Sequence, residues 1–375
     1  MSSLTVNLAC PADDAALRRI LRETWMPGAI SVTFEREPGY FCAAAIEGPV
    51  HQTLVVREAG SGEVVGMGSR SVRPMFLNGR VQPVGYISQL RSSPRYGWGL
   101  SLARTLAKGF AFHRVLHADG QARFYLCSIV ADNWPARRLL ASGLPGLPVF
   151  REYTRLHTYA VPLGRRRAPA RLPRPLRLER GTWSLAGPIL DCLQRNGPRR
   201  QFAPHWTGDT LFSPESAPGL APGDFVLVMD GQRVAGCLAV WDQSPFKQMV
   251  VRGYSGALAR WRRLINAAAR LGAWPELPPP NARFNYCYAS HLAVDDDDPQ
   301  IFAALLRAGY SQARERGFNY FALGLSDAHP LRKVVTRTYR PVTYTSQLYL
   351  VAWDDGLEAV AQVDGRVPGP EIAIL

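Results

Sequence analysis

The chain has 375 residues, 47% hydrophobic and 20% charged, with a net charge of +14 at neutral pH. This is an ordinary globular composition, and the length implies two domains. No run of 18 apolar residues suggests a membrane span and no basic-then-apolar leader suggests export, so a cytoplasmic protein with no membrane partner is expected.

The basic excess favours anionic partners. It is almost all arginine, 41 residues against Lys108, Lys247 and Lys333. Six cysteines are scattered without a Cys-x-x-Cys pair, which reads as free thiols.

In chain order, residues 4–9 read as a strand. Asp13 and Asp14 then open a helix over 15–22. Residues 37–45 read as a second short helix. Residues 53–57 and 64–68 flank Gly60-Ser61-Gly62 as a hairpin, and 84–91 is a β-prone central strand. After Ser92-Ser93-Pro94-Arg95-Tyr96-Gly97-Trp98-Gly99-Leu100 come Leu102, Leu106 and Phe110 at helical spacing. Glycines where a strand turns into a helix let the backbone approach a ligand. The free N–H groups of the first helical turn favour a phosphate there, and Arg95 adds a charge. A tight turn with close strand–helix packing is the alternative. A strand over 124–130, a helix over 132–140 with Pro135 in its first turn and a strand over 153–161 follow.

Strand, phosphate loop, helix, strand, Asn133, helix is an order that resembles the GNAT superfamily of acyl-CoA N-acyltransferases. The resemblance implies an α/β fold with a mixed, mostly antiparallel sheet flanked by helices. It implies acetyl-CoA or another acyl-CoA as cofactor, bound through Leu90, Ser92, Arg95, Tyr96, Gly97, Trp98, Gly99 and Leu100, with Asn133 near the thioester. Two positions depart from the family pattern. Pro94 stands where the loop has Gln or Arg, and Leu140 stands where a Tyr often protonates the leaving thiolate.

Residues 164–180 alternate arginines with prolines and read as an extended linker. Without aromatic interleaving the segment does not resemble a nucleic-acid arm. The second half repeats the first. Tyr86-Ile87-Ser88-Gln89-Leu90 reappears as Tyr288-Ala289-Ser290-His291-Leu292, and 132–140 reappears as 327–335. Two tandem GNAT-like domains, 1–163 and 181–375, are expected.

The second copy replaces the glycine loop with Asp295-Asp296-Asp297-Asp298. One carboxylate about 5 Å from a phosphate charge costs about 3 kcal/mol at an effective dielectric near 20, so this copy should exclude CoA. The aspartates read as a helix start rather than a metal site. Residues 257–271 form an inserted amphipathic helix with Leu258, Trp261, Leu264 and Ile265 on one side. Arg260, Arg262, Arg263 and Arg270 lie elsewhere on it. Such a helix either packs on its own domain or meets a membrane or acidic partner.

N-acyl transfer needs an N–H for the oxyanion, expected at Leu90, and a base for the amine. Glu35, Glu37 and His51 are the candidates, and the residues do not single one out. Two functions remain open: transfer of an acyl group, acetyl first, to an amine acceptor with an acceptor site shared by the second domain, or non-catalytic acyl-CoA binding.

Overall fold

A computed structural model describes residues 3–96, 99–272 and 274–375. The first half runs β1 (Leu4–Leu8), α1 (Asp14–Glu23), β2 (Ile30–Glu35), β3 (Val50–Glu58), β4 (Val64–Leu77) and β5 (Arg80–Ser92). It continues with α2 (Gly99–His117), β6 (Tyr125–Val130), α3 (Trp134–Leu140) and β7 (Val149–Pro162). The second half opens with β8 (Arg177–Arg180), α4 (Ala186–Asn196), β9 (Arg200–Gln201), β10 (Ala203–Pro204) and α5 (Gly208–Leu211). Then come β11 (Phe225–Asp230), β12 (Arg233–Trp241), β13 (Gln248–Tyr254), α6 (Gly256–Gly272) and β14 (Tyr286–Val294). The chain closes with α7 (Pro299–Glu315), β15 (Tyr320–Ser326), α8 (Arg332–Thr338), β16 (Val342–Ala352), α9 (Leu357–Ala361) and β17 (Val367–Pro368).

One 13-stranded sheet runs through both halves, in the order β1-β3-β4-β5-β6-β16-β7-β15-β14-β12-β11-β8, with β10 on β4. Read from either end, the order is the same: four antiparallel strands, a parallel neighbour (β5·β6 or β14·β15), then a strand from the other half. The halves have exchanged their last strands. β16 pairs with β6 and β7 pairs with β15, so the sheet has no break at residue 163. The expected linker also ends in structure, since Arg177–Arg180 pair with β11.

Alternation along the strands separates two faces. Ile87, Tyr125, Cys127 and Ile129 pack with Phe110 of α2. Tyr86, Leu126, Leu348 and Leu350 pack on the opposite face. Residues 37–45 form no α-helix. Two 3₁₀ turns, Tyr40–Ala43 and Ala45–Glu47, stand there, and they end at Gly48 (φ 149°), which lies against β4 where a Cβ would come 2.6 Å from the Val72 carbonyl.

Candidate active site

β5 and β6 pair only from Gly85–Tyr125 to Ile87–Cys127 and then part. Gly85 permits the close pairing, since a Cβ there would sit 2.1 Å from the Tyr125 ring. Just beyond, Gln89 and Leu90 face a single residue of β4, Gly68, in a bulge where Gln89 has φ 52°. The extra residue turns Leu90 to the Ile87 face, under α2.

There Leu90, Arg91 and Ser92 line a cavity of about 60 Å³ with Leu54, Phe110 and His113. Gln89 Oε1, Arg91 Nε and Ser92 Oγ are buried without hydrogen-bond partners. Three orphaned polar atoms within four residues are a signature of a polar ligand, because burying such groups alone is costly.

The residues expected to form a phosphate loop lie between β5 and α2. Arg95 is 81% exposed, with Glu63 at 4.0 Å. Tyr96 is anchored through its hydroxyl, which donates to Glu58 Oε1 at 2.8 Å. Gly99 opens α2 in the left-handed region (φ 57°), and a Cβ there would meet open space. Leu100 lies in the first turn of α2. Gly97, Trp98 and the Leu100 side chain lie outside the described residues. Asn133 caps α3, its side-chain oxygen accepting the Ala136 N–H at 3.2 Å. Leu140 is buried in the apolar layer under α2.

On the opposite face, Ser88 Oγ donates to Glu47 Oε2 at 3.2 Å, and Glu47 ion-pairs with Arg36. His51 Nδ1 lies 2.9 Å from Ser71 Oγ and 3.4 Å from Glu47 Oε2, while its Nε2 lies 3.2 Å from Thr53 Oγ1. Burial pushes the Glu47 carboxyl up, but Arg36, with His51 and Lys247, holds it below the ordinary range. Burial lowers His51, which favours the neutral ring, and brings Lys247 down to about 8.

Of the three candidate bases only His51 joins this network. Glu35 is tied to Arg252, and Glu37 pairs with Arg18 at 2.9 Å. Sequence reading missed Glu47, which sits in an apolar stretch with no motif around it. It also missed Tyr344, which β16 brings in from the second half. The carbonyl of its neighbour Thr345 accepts the Ala131 N–H at 2.9 Å, and the Tyr344 hydroxyl is within electrostatic reach of Arg91 and Asp132. Burial of the hydroxyl raises it well above its ordinary value although the residue is 37% exposed, so it stays protonated at neutral pH.

The second splay repeats the geometry. Pairing of β14 with β15 ends at Tyr288–Ala322, and His291 (φ 52°) sits in a matching bulge opposite β12. Here the chain's own tail enters the gap and, with His291, Ser326 and His329, lines a cavity of about 90 Å³. The His291 N–H donates to Glu371 Oε2 at 2.8 Å, Ser326 Oγ donates to the Pro368 carbonyl at 2.6 Å, and Ile372 packs on Gly324. Burial raises Glu371 to about 7.

The aspartates are spent on structure. Asp295 pairs with Arg195 at 3.0 Å and with Arg233 at 2.5 Å. Asp297 pairs with Arg199 at 2.9 Å and with Arg200. Asp298 caps α7, accepting from the Gln300 and Ile301 N–H groups. Among the described residues no cluster could hold a metal.

No protein-family model and no curated protein matches this chain. Its structure is similar to a GCN5-related N-acetyltransferase from Sphaerobacter thermophilus, at 12% identity, TM-score 0.56, covering 92% of this chain and 95% of that one. It is also similar to Saccharomyces cerevisiae N-myristoyltransferase with bound myristoyl-CoA, at 11% identity, TM-score 0.59, covering 94% and 83%. Likeness at such low identity speaks to fold, and this chain has the fold of the GCN5-related acyl-CoA N-acyltransferases, laid down twice with the last strands exchanged.

Proposed function

We propose that the chain transfers an acyl group from acyl-CoA to an amine, using the splay between β5 and β6. The observation that carries this is the run of orphaned atoms on Gln89, Arg91 and Ser92 at the point where the two strands part. The edge of β5 beyond Ile87 offers unpaired polar groups to the amide-bearing pantetheine arm. Arg95 and the N–H groups at Gly99 suit its pyrophosphate.

The amine approaches from the Ser88 side. As it bonds to the thioester carbon, its proton passes through the Ser88 or Ser71 hydroxyl to the Glu47–His51 pair, coming to rest on His51. An N–H of the bulge at Gln89–Leu90 holds the oxyanion. The C–S bond then breaks, and Tyr344 gives the departing sulfur its proton in place of the missing Tyr at position 140. The second half thus contributes Tyr344 and Lys247 to the site, while in its own splay Glu371 takes the His291 N–H.

The test is thiol release from acetyl-CoA and longer acyl-CoAs with a panel of amines. His51→Gln should lower kcat about 10²–10⁴-fold. The wild-type rate should fall on the acid side of pH 6.5, where His51 takes up a proton. A non-catalytic acyl-CoA binder is the second reading, favoured by the apolar setting of Leu140. Binding of CoA with no thiol release for any amine would select it.

A further inference from the structure

Helix α6 carries its apolar side outward. Trp261 is 50% exposed, Leu264 60%, Ile265 38% and Leu271 88%, and Trp274 just beyond is 50% exposed. At 100° per residue these four helix positions fall on one stripe. The side turned to the protein is mostly polar. Asn266 Nδ2 donates to the Leu277 carbonyl at 3.0 Å, Asn266 Oδ1 accepts the Leu277 N–H at 2.9 Å, Arg262 reaches the same carbonyl, and Ala269 is the only buried residue of the helix. This is the inverse of a helix packed on its own domain.

Arg260 and Arg263, both exposed, border the stripe along one edge. Arg165 Nε donates to the Gly272 carbonyl at 3.3 Å, which brings the exposed Arg165-Arg166 of the arginine-rich segment to the end of the helix. Exposed Trp and Leu rimmed by arginine suit a surface that is apolar below and anionic above. A second copy of the chain would set arginine rims against each other, so charge argues against self-association.

We infer that α6 docks the protein on an anionic membrane surface, with Trp261, Leu264, Ile265 and Leu271 entering the headgroup boundary. No helix among the described residues is long and apolar enough to cross a membrane, and none is needed. β13, which pairs with β2, runs from Lys247 to α6, so the docked helix would stand one strand's length from the acceptor side of the proposed active site.

The test uses the full chain with vesicles of phosphatidylcholine, with or without about 30% phosphatidylserine. Expected is sedimentation with the anionic vesicles, weakened by salt, with a blue shift of tryptophan emission. Leu264→Asp with Leu271→Asp alters only exposed positions and should lower vesicle affinity at least tenfold. Arg260→Glu with Arg263→Glu should abolish the preference for phosphatidylserine. No sedimentation with anionic vesicles, or equal binding to neutral ones, would overturn the inference. So would a concentration-dependent dimer that Leu264→Asp with Leu271→Asp dissociates.

Discussion

Gln89 and His291 hold the same position in the two copies: each has φ 52°, each precedes a leucine, and each sits in the bulge of a central strand. They differ in what they meet. The His291 N–H is taken by the Glu371 carboxylate, whereas Gln89 keeps a buried amide oxygen with no partner. In the proposed reaction, a carboxylate in the second copy sits where the thioester oxygen would sit in the first.

One CoA should therefore bind per chain. The second splay holds Pro368 to Glu371 of the tail and is lined by Asp297, already matched to arginine. Calorimetry should return a stoichiometry near one, and a value near two would mean that the tail leaves its slot.

Position 99 separates backbone strain from charge. Asn tolerates the left-handed region, so Gly99→Asn should bind CoA within a few-fold of wild type. Gly99→Glu adds strain and a negative charge at the helix N-terminus and should weaken CoA at least tenfold, about 1.4 kcal/mol. Equal affinity of the two variants would place the pyrophosphate elsewhere.

Acid should destabilise the fold well above the carboxylate range. His113, His291 and His329 are pushed to about 3, by burial first and then by Arg70, Arg73 and Arg200 respectively. Unfolded, all three take up protons near 6.5, so their contribution is present above that pH and is lost as pH falls. Glu371, raised to about 7, acts in the opposite sense over the same window. Three histidines against one carboxyl leave a net loss on the order of a few kcal/mol between pH 6.5 and 5. Denaturant midpoints at the two pH values measure this, and equal midpoints would contradict it.

Residues 1–163 alone should not reach the native state. In that fragment β6 loses β16 and β7 loses both of its neighbours. Circular dichroism and limited proteolysis should report an aggregating or partly folded chain. A fragment with a cooperative unfolding transition and wild-type CoA affinity would show that the exchanged strand is dispensable.

The repeat of the central strand and the turn from β5 into α2 were legible because they rest on local patterns: Tyr-x-Ser-x-Leu in both central strands, and glycine between a strand and a helix. The exchange of β7 and β16 was not, because antiparallel strands of similar composition pair equally well with either half. Tyr344 was hidden for the same reason. Glu47 escaped because its role depends on Arg36, His51 and Ser88, which meet only in the folded chain. The sequence showed the amphipathic character of α6 but not its direction, since periodicity does not say which side meets the protein.

The exchanged strands also set a timetable for synthesis. Leu156 must wait for Ser346 to leave the ribosome before the two can pair, an interval on the order of 10–40 s at ordinary elongation rates. Through that time β6 and β7 expose open edges in a nascent chain that cannot yet close its sheet. Arg151, Glu152 and Arg155 along β7 put charge on the waiting strand, a common device against edge-to-edge aggregation.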